Sequence, residues 1–181
     1  MAQEIETKVL DIDTIKINDI LLKLGAIKVQ DTRFVVDWYR LKGVIEGQDP
    51  WFLRIRSRSD GSSELTWKAK SDILGVARRH KEINFALLQP ESMGDLFEEI
   101  GLEPYAHQEK DRISWNYKEW RFDIDKYPNM PPFIEIEGQS EDHVKEGIKL
   151  LELENHKTWN DGERTLIQKE YNLDWYDMKF N

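Results

Sequence analysis

The segment Glu4-Ile5-Glu6-Thr7-Lys8 places two carboxylates and an ammonium at every second position, with Ile5, Thr7 and Val9 on the alternate ones. In a β-strand these two sets point to opposite faces, one charged and one largely apolar. Far downstream, Phe133-Ile134-Glu135-Ile136-Glu137 repeats the arrangement. Between the two lie Arg54-Ile55-Arg56, Lys68-Ala69-Lys70, Lys110-Asp111-Arg112 and Arg121-Phe122-Asp123-Ile124-Asp125. Period-2 alternation alone is the ordinary mark of a strand with one solvated face. Here the signs are also segregated, and like charges on one strand face repel unless something neutralises them. Divalent cations would neutralise the carboxylate strands, because hard cations take oxygen ligands. A polyphosphate would neutralise the basic ones, since Arg gives planar bidentate contacts to phosphate oxygens and Lys supplies point charges.

Short strands and a few helices are needed to hold these residues. Asp11 or Asp13 can cap a helix whose apolar positions Ile17, Ile20, Leu21 and Leu24 follow helical spacing, and Gly25 suits its end. Residues 27–41 read as one long or two short strands, and Lys42 to Pro50 as a loop by its breakers Gly43, Gly47 and Asp49-Pro50. Strands at 51–58 and 63–70 flank a turn containing Asp60-Gly61, and another strand covers 79–87. Pro90 opens a helix that stops at Gly101. Strands at 108–117, 119–126 and 132–138 follow, then a helix from Ser140 to about Leu151. One more helix, at 162–171, precedes an irregular aromatic end.

Glu4-x-Glu6-x-Lys8 followed in order by these charged strands resembles the CYTH proteins, also called triphosphate tunnel metalloenzymes, over residues 2–139. The resemblance implies an α+β fold: a closed eight-stranded antiparallel β-barrel with helices packed outside, built by residues 1–181 as a single domain. Its interior would be a tunnel holding a triphosphate with Mg²⁺ or Mn²⁺. By the same resemblance, Glu4, Glu6 and Lys8 carry catalysis. Substrate contacts fall on Lys8, Arg54, Arg56, Lys68, Lys70, Lys110, Arg112 and Arg121, and metal ligands on Glu4, Glu6, Asp123, Asp125, Glu135 and Glu137. The implied activity is hydrolysis of inorganic or organic triphosphates such as tripolyphosphate, thiamine triphosphate or ATP. The alternatives are a class IV adenylyl cyclase forming cyclic AMP and pyrophosphate, and a non-catalytic polyphosphate- or nucleotide-binding module. Better-known cyclases of this class carry a His-Phe pair before the acidic motif, whereas only Met1, Ala2 and Gln3 precede Glu4 here. Trp38, Trp51 and Trp67 could stack a base, but Trp51 and Trp67 alternate with basic positions and are expected to face the outer helices.

Composition narrows the classes further. With 181 residues, 39% hydrophobic content and seven Trp, the chain can build one core. No apolar run reaches the ~18 residues of a membrane helix, so a cytoplasmic protein without a membrane partner is expected. The absence of Cys removes disulfides, thiolate metal sites and Cys nucleophiles. A net charge of -9 argues against nucleic acid as a partner, though a small polyphosphate responds only to local charge. A monomer or homodimer is expected. His80, His107, His143 and His156 show no metal spacing and read as surface or loop residues. In Arg78-Arg79-His80-Lys81, Arg79 or Lys81 is the candidate to face inward, and Arg164 or Lys169 is the candidate late basic residue.

Overall fold

Strand β1 (Gln3–Val9) pairs with both β9 (Phe133–Gly138) and β6 (Ala77–Leu87), and this double pairing closes the sheet into a barrel. The computed structural model describes residues 3–45 and 47–181, apart from the side chain of Gln3; Met1, Ala2 and Glu46, the last within the expected 42–50 loop, lie outside the described residues. From β9 the sheet continues through β8 (Trp120–Lys126), β7 (Leu102–Tyr117), β2 (Ile27–Leu41), β3 (Trp51–Arg58) and β4 (Ser63–Ala69) to β6. All eight neighbouring pairs are antiparallel, so the fold is the expected α+β closed barrel. Three short strands decorate it: β5 (Asp72–Leu74) on β6, β10 (Thr158–Trp159) on β1, and β11 (Asp177–Met178), parallel to β7.

Two long strands form the spine. Residues 27–41 are one strand, paired along almost its whole length with β7 and interrupted by bulges at Lys28/Gln30 and Trp38/Tyr39. β7 begins at Leu102, six residues before the expected start, and Pro104 is tolerated there because it sits beside the second bulge. β4 ends at Ala69, so Lys70 falls outside it, and β5 lies between the expected strands 63–70 and 79–87, where no element is expected.

Apart from β2, whose Phe34 and Trp38 face the interior, the apolar strand faces point outward and are covered by helices. Helix α1 (Thr14–Lys23) is capped by Asp13, which accepts from the backbone N–H of Ile15 and Lys16. Ile17 and Leu21 of α1, together with Val144 and Ile148 of α3 (Glu141–Leu150), cover Val9, Phe122, Ile134 and Ile136. Helix α2 (Pro90–Glu99) covers Leu53 and Ile55 through Phe97, with Trp51 and Trp67 packed in that outer layer as expected. Helix α4 (Glu163–Lys169) instead joins Leu166 and Ile167 to Trp38, Tyr127, Phe133 and Trp175 and closes one end of the barrel.

Gly147 shows how tightly α3 sits. A Cβ there would lie 2.8 Å from Ile136 Cγ2 and 3.1 Å from Trp120 Nε1, and Trp120 is pinned by donating to the His143 carbonyl at 2.9 Å. Alanine normally gains about 1 kcal/mol over glycine inside a helix. Overpacking of this kind costs about 1–3 kcal/mol, so Gly147→Ala is expected to destabilise by about 1 kcal/mol net, measured by urea denaturation. A variant more stable than the parent would refute the close packing of α3.

Candidate functional site

The charged faces of seven barrel strands meet inside, and β2 adds Gln30, Phe34 and Trp38 to the same wall. The cavity they enclose has a volume of about 540 Å³ and is lined by residues of β1, β2, β3, β4, β6, β7, β8, β9 and the segment 161–165. Glu4 and Glu6 enter from β1 and Arg54, Arg56 and Arg58 from β3, while Glu64 and Lys68 come from β4. Arg78 and Glu82 enter from β6, Arg112 from β7, Arg121 and Asp123 from β8, and Glu135 and Glu137 from β9. Ten of the sequence-expected site residues thus surround one space: Glu4, Glu6, Arg54, Arg56, Lys68, Arg112, Arg121, Asp123, Glu135 and Glu137.

Four expected residues do not line it. Lys70 is exposed beyond the end of β4, which removes it from the cavity wall. Lys8 and Lys110 have no solvent exposure and lie beneath the lining. Lys8 pairs with Glu135 at 3.1 Å, and Lys110 with Asp125 at 2.9 Å and Glu163 at 2.8 Å. Asp125 is likewise fully buried and accepts from Lys110 and Arg112. These ions already have counter-ions within the protein, so they build the cavity floor.

The acidic and basic halves differ in how well they are compensated. Glu6 is gripped by Arg78, with contacts of 2.8 and 2.5 Å; although burial and Glu135 act to raise it, Arg78, Lys8 and Lys68 hold its carboxyl down at about 2. Arg112 bridges Asp123 at 2.6 Å, Asp125 at 2.5 Å and Glu135 at 2.6 Å. Glu137 makes no ion pair among the described residues, and Arg121, opposite it on β8, offsets only part of its environment. Burial, then the Glu4 and Glu6 carboxylates, push its carboxyl up to about 7. On the basic side, Arg56 and Arg58 share Glu64, yet burial and the adjacent Arg54 still pull the Arg56 guanidinium down to about 10. Arg54 is 5% exposed, makes no ion pair among the described residues, leaves Nε without a partner, and lies 5.2 Å over the Trp38 ring.

Several site residues lay outside the sequence expectations. β6 turns Arg78, His80 and Glu82 inward, whereas Arg79 pairs with Asp72 at 3.4 Å and Lys81 lies over Trp67. His80, expected at the surface, is buried with 4% exposure, while His107, His143 and His156 do not line the cavity. Arg58 continues the spacing of Arg54 and Arg56, a signal present in the sequence. Glu163 reaches in from α4, accepting from Lys110 and from the Tyr127 hydroxyl at 2.8 Å. Arg164 also lines the cavity, 3.6 Å from Asp49, while Lys169 is exposed.

Glu137, which makes no ion pair among the described residues, offers the oxygen donors that a hard divalent cation takes. Glu137 with Glu4 and Glu6 offers oxygen donors whose mutual repulsion a cation would relieve. A second group, Glu4, His80 and Glu82, brings one ligand atom from each within 4.8 Å, but the Lys68 ammonium stands among them, paired with Glu82.

Comparison with solved structures gives the fold independent support. A conserved hypothetical protein from Pyrococcus furiosus is 20% identical, with a TM-score of 0.69 over 85% of this chain and 94% of that one. A Pyrococcus horikoshii protein is 19% identical, with a TM-score of 0.72 over 92% and 99%. A Hippeastrum protein, named for adenylyl cyclase and described as having a dominant triphosphatase activity, is 14% identical, with a TM-score of 0.67 over 94% and 96%. No curated protein matches the chain. The CYTH domain model matches residues 2–167, which include every strand of the barrel and nearly the whole chain, and the chain belongs to the CYTH family.

Proposed function

We propose that this protein is a divalent-cation-dependent enzyme that hydrolyses inorganic or simple organic triphosphates inside the barrel. The observation that carries the reading is the unpaired Arg54, buried in a cavity wall beside Arg56, in the same cavity as the under-compensated Glu137. A buried guanidinium without a counter-ion is costly, and a bound polyanion would supply what the protein lacks.

Phosphoryl transfer needs positioning and charge stabilisation more than covalent help. Glu4, Glu6, Asp123, Glu135 and Glu137 are the residues that would hold Mg²⁺ or Mn²⁺. Such a cation, when bound, polarises phosphate oxygens and lowers the pKa of a coordinated water. Arg54, Arg56 and Lys68 would orient the phosphate chain and take up the charge on its equatorial oxygens. Water oxygen adds to the terminal phosphorus, the bridging P–O bond breaks, and phosphate and a diphosphate result. The triphosphatase activity of the structurally similar Hippeastrum protein is consistent with this outcome.

A cyclase reading draws on one observation: Trp38, Phe52 and Trp175 line the cavity and offer apolar surface to a base. Cyclisation also requires a ribose held so that its 3′-oxygen attacks the α-phosphorus in line. The test measures phosphate, pyrophosphate and cyclic AMP from tripolyphosphate, thiamine triphosphate and ATP, with Mg²⁺ and with Mn²⁺. Phosphate release that stops on chelation is the expected result. Equal amounts of cyclic AMP and pyrophosphate, formed faster than phosphate leaves tripolyphosphate, would replace hydrolysis with cyclisation.

A further inference from the structure

His80 stands directly opposite Glu4 in the β1–β6 register, so both side chains project from the same face of the sheet. Its Nε2 lies 3.0 Å from Glu4 Oε2 and 3.6 Å from Glu82 Oε2. The Lys68 ammonium also lies 3.3 Å from Nε2, but it has Glu82 as its own counter-ion; with the Glu4 carboxylate, which only accepts, nearer at 3.0 Å, the tautomer protonated at Nε2 donates to Glu4. Lys68 is 3.8 Å from Glu4, beyond hydrogen-bond reach, and its ammonium pairs with Glu82. Among the described residues, His80 is therefore the one hydrogen-bond donor to the Glu4 carboxylate. The ring has almost no exposure and its Nδ1 is buried without a partner, so its polar contacts converge on Nε2, where Glu4 is nearest and Lys68 and Glu82 lie farther off at 3.3 and 3.6 Å.

We propose that His80 is a positioning residue: it fixes Glu4 Oε2 on the β6 side and presents the other oxygen, Oε1, to a divalent cation in the cavity. This rests on the reading of the tunnel as a cation-assisted triphosphatase. A carboxylate left to rotate loses part of its affinity for a cation, and partners that orient metal ligands are worth about 10–100-fold in binding. Sequence alone hides the role, because Arg78-Arg79-His80-Lys81 carries no apolar residue to mark which positions face inward.

The test titrates Mn²⁺ into the full chain, without substrate, and follows free Mn²⁺ by electron paramagnetic resonance. In His80→Gln the amide nitrogen can occupy the place of Nε2, whereas the shorter side chain of His80→Asn cannot reach Glu4. His80→Asn is expected to bind Mn²⁺ about tenfold more weakly, and His80→Gln within about twofold of the parent. Equal binding by the two variants, or parent-like binding by His80→Asn, would overturn the role. Pulsed resonance on the parent is a measurement independent of variant folding. Absence of a directly bound nitrogen supports a residue acting through Glu4, and a strong nitrogen coupling would overturn positioning by making His80 a ligand. A chain that showed this Mn²⁺ pattern yet hydrolysed no triphosphate would retire the catalytic reading and leave the role of His80 standing.

Discussion

Arg54→Ala is expected to weaken tripolyphosphate binding by roughly tenfold to a hundredfold, the value of one charge-assisted contact of about 1.5–3 kcal/mol. Among the cavity cations, Arg54 combines burial, an unpartnered Nε and no carboxylate within ion-pair distance among the described residues. Arg56 is a weaker test because Glu64 already accepts from it, so its removal disturbs a pair inside the protein as well as the ligand. Arg54→Lys should recover only part of the loss, since an ammonium offers no planar fork and stacks less well on Trp38. The ligand-free variant Arg54→Met should melt no lower than the parent, because the substitution removes a buried charge lacking a partner. Lys70→Ala, on the exposed side, provides the contrast and should leave binding unchanged. Calorimetric titration decides the matter, and parent-like affinity in Arg54→Ala would remove this residue from the site.

How far the site was legible depends on what a period-2 pattern encodes. Alternation tells which residues share a strand face, and sign segregation told that this face points inward; both follow from the pleat, so Glu4, Arg54, Asp123 and Glu137 could be placed in one interior. Alternation does not tell depth along the barrel axis. Lys8 and Lys110 obey the same pattern as Arg54, yet the closed end buries them under Glu135 and Glu163. Lys70 fails for a different reason: the strand ends one residue earlier, and beyond a strand end the alternation has no meaning. On β6, four consecutive polar residues give no apolar position to set the phase, and the expectation named Arg79 or Lys81 where the barrel uses Arg78 and His80. Glu163 was invisible because the contact joining it to Lys110 spans 53 residues, and only the packing of Leu166 and Ile167 against Trp175 brings α4 there.

That burial without compensation also makes Glu137 a residue whose replacement should separate function from stability. Its carboxyl titrates at about 7 in the folded protein against an ordinary 4.5, with burial as the largest cause and Glu4 and Glu6 next. A raised carboxyl pKa means that the folded state holds the proton more tightly than the unfolded chain. Stability from this group is therefore fully present below about pH 4.5 and is lost as pH rises through about 7. Solvent access to this half-buried side chain reduces the loss to about 1–2 kcal/mol. Glu137→Gln keeps the shape and removes the titration. Without added metal, the variant should melt higher than the parent at pH 8, while at pH 4 the two should coincide. Mg²⁺ should stabilise the parent more at pH 8 than at pH 5, since a cation binds the ionised carboxylate and competes with the proton. Turnover at pH 8 should fall at least a hundredfold in the variant despite its higher melting temperature, the pattern of a residue kept for its ligand at the expense of the empty fold. Metal-free melting curves that coincide at pH 8 would show that Glu137 is already compensated in the protein, and the cation assignment at this carboxylate would fall with them.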